Sequence, residues 1–245
     1  MAASTHPVFI HPSDTEVSIW RYMDFTKFVS MLENDALYFS RADGLGDPFE
    51  GSYSRGNEKM RPEIYKDWEP HVIQEAEHLY KRKIKEVFIN CWHMNAHESA
   101  AMWRLYAKTN EAIAIRSTFS KLFNALDSKC HLGVVKYVDY ENDWIPEGNA
   151  LYPFVHKRLS FAHEQEVRAL FNAPYFKLHD ERNSSRIFNP AEGMWGHLEL
   201  NSIIDLIYIA PTAPIWFKRL VEQIVRKYSL NKQVVQSSLD NEPFY

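Results

Sequence analysis

A strand that runs into an acidic, glycine-rich loop is the feature of this sequence that most constrains the fold. Residues 37–52 read LYFSRADGLGDPFEGS, and the alternation at the start of this segment predicts a strand. Glycines and a proline then predict a tight loop. The strand end and the loop carry one arginine and three acids: Arg41, Asp43, Asp47 and Glu50. This arrangement is typical of a binding site and also of a capped surface turn, so both interpretations stay open.

The composition fits a globular protein with a substantial core. A chain of 245 residues with 45% hydrophobic residues can build one large domain or two small ones. The net charge of −4 disfavours a large non-specific nucleic-acid surface, although a short basic groove stays open. The sequence shows no secretory signal and no apolar run near the ~20 residues that span a bilayer. Two cysteines, Cys91 and Cys130, fit a reducing compartment, so we expect a cytoplasmic protein without a membrane partner.

Strands and helices follow one another without a strict βαβ rhythm, which favours an α+β fold with a mixed, mostly antiparallel sheet and flanking helices. Residues 1–16 contain two His-Pro steps and predict an N-terminal arm, and residues 17–245 predict a single domain. A charged helical insertion is expected over about 59–86, divided at Pro62 and Pro70. The other predicted strands are 17–23, 87–92, 111–116, 131–140, 163–171, 198–200, 203–210 and 234–237. The other predicted helices are 25–33, 98–108, 118–126, 152–162 and 214–228, with a loop over 172–196.

Two of the predicted strands carry charged residues in unusual places. Arg21 is in line with two β-branched residues in VSIWRYM, so it either snorkels at a strand end or faces a ligand. In HEQEVRALF, residues Glu164, Glu166 and Arg168 fall on one face of a strand, opposite an apolar face. That face either lines a site or is the solvated side of an edge strand.

The segment CWHMNAH brings cysteine and histidine together without the paired spacing of a zinc site. We therefore expect core packing for Cys91, hydrogen bonding in a loop for His93 and His97, and no metal. Asn95 and Glu98 have the spacing of a capping box at the start of the following helix. The chain also lacks GxGxxG, GxxxxGK[ST], GxSxG and HExxH, which argues against Rossmann, P-loop, α/β-hydrolase and zincin sites.

Four blocks taken together resemble the domain-of-unknown-function 2971 family of bacteria and phages: WRYMDF, LYFSRADGLGDPFEGS, NCWHMNAHESAAMWRLYA and HEQEVRA. That family has, in this order, a tyrosine-containing first strand, a DPFE loop, a Cys-x-x…MW-x-x-Y segment and an E-x-E-x-R strand. The match spans roughly residues 17–210. The order of the blocks is also remotely similar to ADP-ribosyltransferase folds, which implies a split-sheet core and NAD as a substrate.

The second resemblance implies roles for the matching residues. Glu166 would be the catalytic carboxylate, Glu164 would orient the acceptor, and Arg168 would fix Glu166. Arg21 would hold the pyrophosphate or ribose through its planar fork, and Ser40 would position the amide or ribose. The other candidates for binding NAD are Tyr22, Arg41, Trp103 and Tyr106. The chain lacks the Ser-Thr-Ser strand of the best-known pattern, and the acids of the DPFE loop have no clear place in this mechanism.

Three functions stay open at this point. The first is an NAD-consuming enzyme acting on a protein or nucleic-acid acceptor, as a toxin or defence effector, with Arg21, Ser40 and Glu166 converging in one cleft. The second is a nuclease or other hydrolase that holds magnesium or manganese between the acids of the loop and of the late strand. The third is a binding module whose charged groups form structural salt bridges around no open pocket. The oligomeric state stays open.

Overall fold

The computed structural model describes residues 3–172 and 193–243 and confirms the α+β prediction. The strands are β1 (Ser18–Asp24), β2 (Ala36–Arg41), β3 (Val87–Met94), β4 (Ala112–Thr118), β5 (His131–Val134), β6 (Lys136–Val138), β7 (His156–Arg158), β8 (Glu166–Asn172), β9 (Gly193–His197), β10 (Leu206–Ile209) and β11 (Gln233–Gln236). The helices are α1 (Phe25–Asn34), α2 (Arg55–Ile64), α3 (Pro70–Lys83), α4 (Ala100–Tyr106), α5 (Phe119–Ala125), α6 (Leu200–Ile203) and α7 (Ile215–Lys227). Within the described ranges, no helix combines the length and apolarity needed to cross a membrane.

The large sheet is mostly antiparallel and forks at β3. One edge of β3 pairs with β8 along nearly its whole length. The opposite edge is shared, because β2 pairs with Phe88 and Ile89 whereas β1 pairs with His93 and Met94. Beyond the fork, β1 leads to β4, β10 and β11, and β2 leads to β9. A gap therefore opens between β1 and β2 beside residues 90–92 of β3.

Helices with one apolar side cover the sheet. Helix α1 joins β1 to β2 across the fork and buries three residues at helical spacing, namely Phe28, Met31 and Leu32. Helix α7 also buries three residues at helical spacing, namely Phe217, Val221 and Val225. The rings of Phe25 and Phe217 meet edge to face, with centroids 5.2 Å apart. The main core lies between these helices and the sheet.

The residues before β1 pack onto the sheet. Phe9 is buried and stacks on His131 of β5, with ring centroids 4.9 Å apart. The backbone N–H of Val134 donates to the Ile10 carbonyl at 2.8 Å. The described part of the predicted arm therefore covers one side of β5.

Helices α2 and α3 form the helical segment between β2 and β3. Pro70 begins α3, but Pro62 lies inside α2, so the division predicted at Pro62 is wrong. Glu147, from a distant loop, accepts hydrogen bonds from Arg61 Nε at 2.8 Å and from the Tyr65 hydroxyl at 2.7 Å. The segment is thus tied to the body of the protein through Glu147, whose side chain is largely buried, and also through Asn57, which hydrogen-bonds the backbone of Ile145.

Several predicted elements differ from the observed ones. The predicted helix over 152–162 is wrong: β7 forms there, between two 3-10 turns (Tyr152–Val155 and Leu159–Glu164), because its backbone pairs with β6. The predicted strand over 131–140 is two strands, since β5 pairs with β8 and β6 pairs with β7. The predicted strand over 198–200 is also wrong, because α6 begins at Leu200. Helix α4 is capped by Ser99 and not by Asn95, and the Ser99 hydroxyl accepts the Met102 N–H at 3.3 Å.

The predicted loop over 172–196 falls partly outside the described residues, and its last four residues belong to β9, which pairs with β2. Two glycines suggested a loop. Their actual role is to make room for rings, because a Cβ on Gly196 would lie 2.7 Å from a ring carbon of Phe39, and the Tyr38 ring similarly crowds Gly193. Glycine in this strand is a packing requirement.

Candidate functional site

A cavity of about 760 Å³ occupies the gap between β1 and β2. Residues of β3, β8, α1 and the 3-10 turn Leu159–Glu164 complete its walls. Its aromatic lining comprises Trp20, Tyr22, Tyr38, Trp92, Tyr106, Phe161 and Trp195. A space of this size with flat apolar walls suits a small-molecule ligand that contains rings.

Arg168 of β8 is fully buried and uses all of its N–H groups. Nε and Nη2 donate to the two oxygens of Glu166 at 2.7 and 3.1 Å. Nη1 and Nη2 hold both oxygens of Glu50, with 2.8 Å between Nη2 and Oε2. The remaining Nη1 donor binds the Phe154 carbonyl at 2.8 Å. The guanidinium is saturated, and it joins β8 to the loop that follows β2.

Lys157 of β7 supplies a second cation to Glu166. Its Nζ lies 3.2 Å from Glu166 Oε2 and also donates to Glu164 Oε2. Burial by itself raises the pKa of Glu166, but the charges of Arg168 and Lys157 outweigh burial and lower the pKa to about 2. Glu166 therefore stays ionised at neutral pH. In the described part of the chain, no protein donor reaches the other Glu164 oxygen, Oε1.

Arg21 of β1 presents a guanidinium without an acid partner in the described ranges. Its Nη1 reaches across the gap and donates to the Cys91 carbonyl of β3 at 2.9 Å. Burial lowers the pKa of Arg21, and the groups that oppose this are a thiol and a phenol, those of Cys91 and Tyr106, rather than a carboxylate. The guanidinium still keeps its proton, because the pKa of arginine is very high. A half-buried cation with spare donors is suited to bind an anion.

The acids of the DPFE loop are paired by cations. Asp47 accepts the Phe49 backbone N–H at 3.0 Å and an N–H of Arg158 at 2.8 Å. Gly51 has a φ of 70°, and the Phe154 ring fills the space that a side chain would need. Burial raises the pKa of Glu50, and Arg168 opposes that rise. The loop therefore acts as an anchor that holds acids against Arg158 and Arg168.

Most of the predicted site residues line the cavity: Arg21, Tyr22, Ser40, Asp47, Tyr106, Glu164, Glu166 and Arg168. The cavity thus brings together the three residues that the first hypothesis requires in one cleft. Four predicted residues are not part of the lining: Arg41, Asp43, Glu50 and Trp103. Arg41 pairs with Asp43 at 2.6 Å, and Trp103 donates to Glu98 at 2.9 Å.

Three cavity residues were missed or assigned elsewhere by the sequence analysis. Lys157 was placed in a predicted helix, and no local pattern marks it. His93 was assigned to a loop, and Cys91 to core packing, but both belong to β3 and line the cavity. Burial raises the pKa of the Cys91 thiol, and the nearby negative charge of Glu166 adds to that rise. The alternation in VFINCWHM could have revealed both residues, because it continues past the predicted strand end at residue 92.

The carboxylates that the second hypothesis assigns to a magnesium or manganese ion are arranged as ion pairs with basic side chains. Each of the five proposed acidic ligands contacts an arginine or lysine. Among residues 3–172 and 193–243, no group of three His, Cys, Asp or Glu side chains is placed to hold a metal ion. Cys91 and Cys130 are free thiols.

Comparison of the chain with protein-family models, characterised proteins and solved structures found no significant match. The resemblance to the domain-of-unknown-function 2971 family, and the remote one to ADP-ribosyltransferases, therefore stay predictions.

Proposed function

We propose that this protein is an NAD-consuming enzyme of the ADP-ribosyltransferase type that acts on a macromolecular acceptor. The observation that carries the proposal is the charge arrangement of one aromatic cavity. Arg21 offers a cation without an acid partner in the described chain, and Glu166 offers a carboxylate that stays ionised. NAD presents complementary charges, since its pyrophosphate is anionic and its nicotinamide ring is cationic.

The acids outnumber the cations around Glu166. Glu50, Glu164 and Glu166 face Arg168 and Lys157, so this network has one excess negative charge. A positive charge that develops nearby is therefore stabilised, and the effect is strong because the groups are buried and already oriented. The spare donors of Arg21 suit a pyrophosphate, which accepts two parallel hydrogen bonds from one guanidinium.

The proposed reaction breaks the bond between ribose C1′ and the nicotinamide nitrogen. The bonding electron pair stays on the nitrogen, and nicotinamide leaves as a neutral molecule. The ribose passes through an oxocarbenium-like transition state, in which a carboxylate that binds the 2′-hydroxyl binds it more strongly. An acceptor nucleophile forms the new bond to C1′ and loses its proton. Glu164, whose Oε1 has no donor among the described residues, is our candidate for orienting that nucleophile.

A proton NMR time course with purified protein and NAD tests the proposal. We expect nicotinamide to appear with the wild type and not with Glu166→Gln. Glu50→Gln is the matched control, because it removes an equal charge from Arg168 but lies outside the cavity lining. This control should lose stability and slow nicotinamide release without abolishing it, because it removes the excess charge of the network but keeps the Glu166 carboxylate in the cavity.

Two outcomes would contradict the proposal. One is no release and no thermal shift at millimolar NAD, because a ligand well above its dissociation constant must stabilise the fold that binds it. The other is equal release by the wild type and by a folded Glu166→Gln protein. The nature of the acceptor, a role as a toxin or defence effector, and a cytoplasmic location belong to the same proposal.

A further inference from the structure

His93 lines the cavity and carries a buried polar atom that has no protein partner in the described chain. The side chain is 3% exposed and lines the cavity. Its Nδ1 lies 2.6 Å from the backbone carbonyl of Glu164, and its Nε2 is buried without a hydrogen bond. A buried polar atom that lacks a partner is costly, so its presence in a cavity wall needs an explanation.

The hydrogen bond to the carbonyl determines the tautomer of His93. A carbonyl oxygen can only accept, so Nδ1 carries the proton and Nε2 of the neutral ring has a free lone pair. Burial lowers the pKa of His93, which keeps the ring neutral at pH 7. The groups that face it are Glu164 and His163 of the adjacent turn, Tyr22 of β1 and Glu166, its register partner on β8.

We propose that Nε2 of His93 accepts a hydrogen bond from a neutral donor of the ligand and makes the cavity select a carboxamide over a carboxylate. This inference rests on the proposed function, in which the donor is the nicotinamide carboxamide. A lone pair attracts an amide N–H and repels a carboxylate oxygen, so one atom can distinguish the two groups.

The surroundings of His93 suit a flat ring that ends in an amide. Trp20, its register partner on β1, and Tyr22 both line the cavity beside it. The Tyr22 and His93 ring centroids are 6.2 Å apart. Aromatic side chains would hold the face of a nicotinamide, and Nε2 would receive its amide hydrogen.

The test compares two dinucleotides by calorimetry: NAD, and nicotinic acid adenine dinucleotide, which has a carboxylate in place of the carboxamide. We expect the wild type to bind NAD about tenfold more tightly than the acid form at about pH 8, since an unfavourable buried contact costs more than 1 kcal/mol. His93→Asn retains a donor for the Glu164 carbonyl and removes Nε2, so the preference should fall to about twofold. His93→Gln places an oxygen near the Nε2 position and should restore part of the preference.

His78→Asn is the matched control, because His78 is exposed on α3 and lies outside the cavity lining. This control should keep the full preference. A His93→Asn protein that binds NAD and also keeps the full preference would overturn the inference but leave the proposed function intact. A wild type that binds neither dinucleotide would overturn both.

The wild type alone gives a second test, in case His93→Asn fails to fold. Protonation of the His93 ring turns Nε2 into a donor, so the preference for the carboxamide should disappear or reverse once the pH has fallen below the His93 pKa, which burial holds below its ordinary value. A preference that stays the same after NMR shows the His93 ring to be protonated would overturn the inference.

Discussion

Arg168 and Arg21 line the same cavity from strands on opposite edges of β3, and they differ in what surrounds them. Every N–H of Arg168 binds a protein oxygen, and two carboxylates hold it from both sides. Arg21 donates to one backbone carbonyl and has no acid partner in the described chain. A buried charge is expensive unless it is paired, so a paired charge contributes to the fold, whereas an unpaired one indicates a ligand.

This difference predicts opposite responses to mutation. Losing Arg168 should damage the protein itself. Losing Arg21 should damage only what the protein binds. Four measurements, from the largest expected effect to the smallest, test whether the two arginines differ in this way.

Arg168→Met should have the largest effect, a loss of about 3–5 kcal/mol in the free energy of unfolding, because it leaves Glu50 buried without a cation and leaves Glu166 with Lys157 alone among the described residues. Denaturant unfolding followed by circular dichroism measures this loss. The double variant with Glu50→Gln removes one of the stranded charges and should recover part of the stability. A single variant as stable as the wild type would show that the network does not support the fold.

Acidification should weaken the same network. Glu166 has a pKa lowered from 4.5 to about 2, so its contribution to stability is present above pH 4.5 and is lost as the pH falls towards 2. The size of this contribution is on the order of 3 kcal/mol. Glu50 acts in the opposite sense, because its pKa is raised. The difference between wild type and Glu166→Gln in unfolding midpoint, followed against pH, isolates the Glu166 part, and a difference that does not change with pH would contradict the assignment.

Arg21→Met should weaken NAD binding by about 10- to 100-fold, which corresponds to the loss of one or two charge-assisted hydrogen bonds. Its unfolding midpoint should be unchanged or higher, because the variant removes a half-buried charge that has no acid partner in the described chain. Calorimetry and thermal denaturation on the same sample measure both effects. Normal affinity, or a stability loss as large as that of Arg168→Met, would remove the distinction between the two arginines.

Glu141→Gln gives the smallest expected effect and serves as a baseline. Glu141 pairs with Arg55 and Lys59, and all three side chains are about half exposed or more. Water screens such pairs, so the unfolding midpoint should hardly move. A large shift here would mean that surface charges matter as much as the buried network.

The sequence predicted those parts of the fold and site that depend on short-range patterns. The alternation in HEQEVRALF placed Glu164, Glu166 and Arg168 on one face of a strand. Glu166 and Arg168 do share β8 and contact each other at 2.7 Å, but Glu164 belongs to the 3-10 turn before the strand, so that part of the prediction is wrong. Helix α7 has the predicted apolar spacing. The partnership between Glu50 and Arg168 spans 118 residues and leaves no local periodicity to detect.

The elements that were missed have long-range causes. Strand β7 forms because β6 is beside it, and the fork exists because two strands share one edge of β3. Gly193 and Gly196 are typical turn residues when the sequence is read locally. The rings that they accommodate, those of Tyr38 and Phe39, belong to β2, which is far away in the chain. Lys157 became a site residue only once β7 placed it next to Glu164 and Glu166.

The long separation in sequence between β3 and β8 determines the order in which the walls of the cavity are completed during synthesis. A ribosome completes β1, β2 and β3, and hence both arms of the fork, long before it reaches residue 166. Until then the chain has neither Glu166 nor Arg168, and Glu50 has no guanidinium to hold it. Contacts between distant segments also form late in folding. A chain interrupted before residue 166 therefore lacks both the carboxylate and the guanidinium that complete this wall of the cavity.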